Sequence, residues 1–174
     1  MKPLRALLGK VFGEGFASRN IQPHLALVYG VIAKVTRING TTPWPVHWTS
    51  TIKAPQKIDR GTRFPGLSKH CHIDGRNGIV FGKNVWIGPG AAVISMNHDV
   101  MNFHVYKDAP PVRIGDNCWL GANSLVLPGV ELGPHTVVAA GAVVVKSFPE
   151  GDQVLAGNPA RVVRSLPPYE GPTR

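Results

Sequence analysis

The sequence has no run of five or more Lys or Arg and no basic patch interleaved with aromatic residues. It also has no apolar run approaching the ~18 residues that a membrane-spanning helix needs. The first two absences make nucleic acid the least favoured partner of a chain whose net charge is +9. The third excludes a spanning helix. Only two cysteines are present, Cys71 and Cys118, too few for a disulfide scaffold. No signal peptide with a small-residue cleavage site is visible, so a cytoplasmic location is expected. Charged residues make up 17% of the chain, below the usual quarter or so. Against these shortages stand 20 Gly and 16 Pro, which point to a fold of many turns rather than of helices. The 174 residues suit one domain. The positive charge reads as a solvated surface, or as a match to an anionic cofactor or an acidic membrane.

The stretch 114–149 repeats every six residues: IGDNCW, LGANSL, VLPGVE, LGPHTV, VAAGAV, VVKSFP. The first place is always aliphatic (Ile114, Leu120, Val126, Leu132, Val138, Val144). The fifth holds Cys118, Ser124, Val130, Thr136 and Ala142 before Phe148 closes the run. A period of six fits neither the 3.6 of a helix nor the 2.0 of a strand. A fixed short period is the mark of a stacked solenoid, and hexapeptides mark a parallel β-helix. Each six should form one short strand and one turn, with the first and fifth residues pointing inward. Three sixes then close a coil of eighteen, and Cys118 becomes a buried structural thiol.

Upstream, Leu4, Leu7, Leu8, Val11 and Phe12 follow helical spacing, and the apolar segment 23–38 is a second helix candidate. Two readings of the N-terminal part stay open. Its helices pack on the open end of the solenoid, or a basic interfacial helix rests on the inner face of a membrane. Residues 1–45 are therefore expected to be a helical cap, 46–165 the solenoid and 166–174 a tail that is disordered or draped over a neighbour. Ile52, Ile58 and Phe64 keep the six-residue spacing, whereas Ile73 and Ile79 fall three out of phase, so a corner there is irregular. Phe81, Ile87 and Val93 restore the register. Residues 98–113 interrupt it again as a protruding loop, and loops on a rigid scaffold are where function concentrates.

The repeat, the loop opening at His98 and the string AGNPARVVR (156–164) together resemble the hexapeptide-repeat acyltransferases. The likeness is strongest to the maltose, galactoside and polysaccharide O-acetyltransferases, and it covers roughly residues 50–165. The resemblance implies an all-β solenoid, a left-handed parallel β-helix, assembled as a homotrimer with active sites between adjacent prisms. It implies acetyl-CoA as acyl donor, no metal, and a hydroxyl of a sugar or polysaccharide precursor as acceptor. His98 stands at the place of the catalytic base, and an imidazole is suited to take a hydroxyl proton near neutral pH. Asn97 and Asp99 flank it, to orient the ring, to touch the sugar or to form a turn. Asp74 and Asn77, with Ser68, are candidate acceptor contacts on the coil below. Gly121, Ala122 and Ala140 match small turn positions along which the pantetheine arm runs. Lys146, Arg161 and Arg164 match cations that meet the CoA phosphates. Trp119 either walls the cleft or packs at a corner.

Three rivals remain at this point. N-acylation of an amino sugar uses the same apparatus. A γ-carbonic-anhydrase-like metal enzyme would need His-x4-His spacing, which His70, His72, His98, His104 and His135 do not provide. A purely structural solenoid would have no use for His98, its loop or the GNPAR string.

Overall fold

The aliphatic first places 114, 120, 126, 132, 138 and 144 are all buried, as are the fifth places from Cys118 to Ala142 and Phe148 at the exit. Those two positions per six fill the axis of a three-sided prism. The computed structural model describes residues 2–173. Backbone pairing shows the coil length directly: Ile114 lies over Leu132, Leu120 over Val138 and Val126 over Val144, each eighteen residues on. About five coils stack in this way. The parallel ladders between coils satisfy the backbone groups that short strands would otherwise leave unpaired.

Three faces result. Face A stacks 51–53, 72–74, 92–94, 125–126 and 143–144; face B stacks 58–59, 79–81, 112–114 and 131–132. Face C stacks 86–87, 119–120, 136–138 and 153–157, and its last strand turns back antiparallel through 160–165. The out-of-phase Ile73 has a simple cause. Ile52 pairs with Ile73 and Ile58 with Ile79, twenty-one residues apart, so the first coil is three residues longer than eighteen. The extra length sits in the corner between Phe64 and His72, where Pro65 and Gly66 prolong the turn.

Ahead of the prism lie α1 (Lys2–Phe12) and α2 (Pro23–Thr36). Gly13, at φ 112, ends α1, and a 3-10 turn over Glu14–Ala17 follows. Gly30 and the β-branched residues do not prevent α2, because packing decides. A Cβ at Gly30 would lie 2.6 Å from Cγ of Phe12, so the crossing of the helices requires the glycine. Leu8, Phe16 and Ala26 join the core that runs on into the prism.

The C-terminal tail lies along its own face C. The Leu166 amide donates to the Asp152 carbonyl at 2.7 Å, and the Tyr169 ring meets His135 edge-on. Both cysteines are buried and unpaired, and burial pushes the Cys118 thiol up to about 11.

Candidate active site

His98 is positioned by the interruption of the repeat. After Ile94 the chain leaves face A at its edge with face B. It rises as a two-stranded antiparallel hairpin, in which Asn97 pairs with Lys107 and His98 with Tyr106. The protruding segment is thus an ordered hairpin, and it opens one residue before His98. Asp99 closes its tip: one carboxylate oxygen accepts from the amides of Met101 (2.7 Å) and Asn102 (3.1 Å). The other lies 3.4 Å from Lys107. Those bonds, the Met101 amide first, hold the carboxyl of Asp99 below its ordinary value. Of the roles open to Asp99, the structure displays the turn former. Asn97 is exposed at the base of the same hairpin.

The ring of His98 is exposed, and its Nδ1 is hydrogen-bonded to the Phe103 carbonyl oxygen. A carbonyl only accepts, so in the neutral ring Nδ1 carries the proton and Nε2 keeps its lone pair. The ring is also tilted against Tyr106, with centroids 4.6 Å apart. Tyr106 in turn has the Arg76 guanidinium 4.7 Å from its centroid. Arg76 forks onto the carboxylate of Asp74 at 2.7 to 3.1 Å. Burial opposes ionisation of Asp74, but the hydrogen bonds and charge of Arg76, aided by Lys53, outweigh it and hold the carboxyl below its usual range. The Asp74 side chain is only 2% exposed, so it acts on the site through Arg76. Asn77 donates from Nδ2 to the Lys107 carbonyl at 3.0 Å and so ties the coil below to the hairpin. Ser68 lies elsewhere, donating to the Ile87 carbonyl across the C–A corner.

Asp74, Asn77, Asn97, His98 and Asp99 are therefore gathered at one edge. Arg76 and Tyr106 belong with them and were not singled out from the sequence. The available signal was the antiparallel pairing that sets Tyr106 opposite His98, invisible until the insertion is read as a hairpin.

The small residues occupy another edge. Gly121, Ala122 and Ala140 lie at the corner between faces C and A, where the Gly121 amide donates to Val138 and the Gly141 amide to Ala122. Gly141 adopts φ 71, and a Cβ there would meet nothing within 4 Å, so this turn borders open space. Arg161 and Arg164 are exposed on the closing antiparallel strand, opposite Ala156 and Val154. Lys146 follows face A and lies at the A–B edge, on the side of His98, with Nζ 5.4 Å from the Phe148 centroid. One chain thus sets the histidine and Lys146 on one edge of face A, and the small turns on the other. A hollow of about 370 Å³ on face C is walled by Trp86, Trp119, His135, Val137 and Tyr169. Trp119 is thus the wall of a surface hollow. Among the described residues no three His, Cys, Asp or Glu side chains converge as metal donors.

Residues 111–146 match the family profile described as Bacterial transferase hexapeptide (six repeats). The galactoside O-acetyltransferase of Escherichia coli is 34% identical over 93 residues, 51% of this chain and 44% of that one. The chain spans about half the length, or less, of the curated relatives it matches. A hexapeptide-repeat acetyltransferase of Vibrio cholerae, solved with acetyl coenzyme A, superposes with a TM-score of 0.59 at 23% identity, over 95% of this chain and 88% of that one. An N-acyltransferase of Bacillus cereus, solved with dTDP and coenzyme A, gives 0.57 at 17% identity over 70% and 80%. The two likenesses establish a shared fold.

Proposed function

We propose that the protein is an acetyl-CoA-dependent O-acetyltransferase acting on a hydroxyl of a sugar or polysaccharide precursor. The observation that carries this reading is the hydrogen bond from His98 Nδ1 to the Phe103 carbonyl. In the neutral ring it leaves the Nε2 lone pair free, on an ordered hairpin at the edge of the prism. Nε2 takes the proton of the acceptor hydroxyl as its oxygen attacks the thioester carbonyl. The C–S bond of the tetrahedral intermediate then breaks, and the proton passes to the departing thiolate, leaving an acetyl ester and free CoA. No metal is invoked at any step.

Gly121, Ala122 and Ala140 would line the pantetheine arm, since small turn residues let it bond to backbone groups. Lys146, Arg161 and Arg164 would meet the phosphates. Because the base and the small turns stand on different edges of one chain, a full site forms when the His98 edge of one prism faces the small-turn edge of another. A closed trimer supplies that arrangement three times. The relative in Escherichia coli, named for galactoside O-acetylation, supports a sugar hydroxyl as acceptor. The likeness to an N-acyltransferase keeps an amino-sugar amine as the second reading.

The test is thiol release from acetyl-CoA with a panel of sugars, amino sugars, serine and chloramphenicol. Acceptor-dependent release with neutral sugars supports the reading, and release with amino sugars alone moves it to N-acylation. No release and no CoA binding would leave a structural solenoid.

A further inference from the structure

Each helix of the N-terminal pair carries apolar residues on two sides, and only one side is used by the core. On α1, Leu8 and Phe12 face inward, and Arg5 locks the helix by donating to the carbonyls of Ser18 and Ile21. On α2, Ala26 and Gly30 are the buried positions. Other apolar residues stay exposed in stripes: Leu4, Leu7 and Val11 on α1, and Leu27, Val31 and Val35 on α2, with Leu25 and Val28 beside the latter. The spacings i, i+3, i+7 and i, i+4, i+8 keep each stripe on one outward side of its helix. Exposure reaches 56% at Leu7 and 78% at Val35. A helix that is apolar on its buried and on its outward side has a second apolar surrounding to meet.

Charge indicates which surrounding. Neither helix contains an acidic residue, and residues 1–38 hold six Lys or Arg against one acidic residue, Glu14. Lys10, Arg19, Lys34 and Arg37 are exposed on these helices and their connections. A second copy docking through the same surface would set this excess positive charge against itself, whereas an anionic lipid surface neutralises it. At 11 and 14 residues the helices are too short to cross a bilayer, so they would lie in its interface.

We propose that the outward stripes of α1 and α2, with their basic flanks, dock the protein on an anionic membrane surface. This inference does not depend on the acyl-transfer reading. Acetyl transfer to a lipid-borne acceptor is one use of it, but the binding is tested on its own.

The experiment is flotation of the full chain with phosphatidylcholine vesicles, with and without about a third phosphatidylglycerol. The wild type should float with the anionic vesicles only, and less so as salt is raised. Lys10→Glu with Arg37→Glu should weaken partitioning by roughly fivefold or more per charge changed. Leu7→Asp with Val35→Asp should abolish flotation while leaving the melting temperature unchanged, since both side chains are exposed. Equal behaviour with and without anionic lipid, or undiminished flotation of the aspartate variant, overturns the proposal. So does a wild type that ignores vesicles but forms an oligomer that the aspartate variant disrupts, which would assign the stripes to a second copy.

Discussion

His98 donates from Nδ1 to the main-chain carbonyl of Phe103, five residues on in the same hairpin, so the loop that exposes the imidazole also selects its tautomer. Replacing His98 by Ala should lower turnover by about 10²–10⁴-fold, the usual contribution of a positioned general base. The KM for acetyl-CoA and the melting temperature should barely change, because the ring is exposed and no core contact is lost. Steady-state kinetics on the purified variant decide this, and unchanged turnover removes His98 as the base.

Behind the histidine, the ion pair between Arg76 and buried Asp74 supports the Tyr106 ring. Arg76→Ala leaves a carboxylate that is 2% exposed with only the residue-76 amide, at 3.2 Å, and Lys53, at 3.9 Å. Leaving a buried charge so poorly paired should cost about 1–3 kcal/mol of stability, measured by urea unfolding. The pH dependence follows from the lowered carboxyl of Asp74. Its contribution is fully present above the unfolded value of about 3.9 and is lost as pH falls through the folded value. Asp74→Asn should lack that part of the acid-side loss.

The repeat at 114–149 disclosed the prism because first and fifth places answer to a single cause, the narrow axis, and all are buried. His98 was legible where the repeat breaks into the insertion, whereas Lys146 and the small turns were candidates only through the family resemblance. The Asp74–Arg76–Tyr106 support was not, because it joins side chains thirty residues apart through a hairpin whose pairing leaves no periodic mark. Tyr169 was hidden for a similar reason: nothing in PPYEGPTR announces that its hydroxyl meets Nδ2 of Asn84, 3.0 Å away on the body of the prism.

The donor side can be probed by charge. Lys146 and Arg161 are exposed, and neither forms a salt bridge among the described residues. If they meet the CoA phosphates, Lys146→Ala and Arg161→Ala should each raise the KM for acetyl-CoA by about tenfold, the low end for hydrogen bonds to charged groups. At saturating donor kcat should be unchanged, and the penalty should shrink in high salt. A fall in kcat at constant KM would instead place these residues at the reacting centre.

The thiols offer a test of the core that also bears on the assay. Cys118 occupies a fifth place with no exposure, and its sulfur lies 3.3 Å from the Gly133 carbonyl. With the thiol pushed up to about 11 by burial, only about one molecule in a thousand holds a thiolate there at pH 8. Cys71 is likewise buried, and burial raises its thiol too. Folded protein should therefore react negligibly with an aromatic disulfide reagent on the timescale of turnover, and both thiols should react at once in guanidinium. Thiol release during catalysis then reports CoA alone. A fast-reacting Cys118 in a Cys71→Ala background under native conditions would show that the coils around residues 118–136 open readily, contrary to the packing of an axis filled by Leu120, Val126 and Leu132.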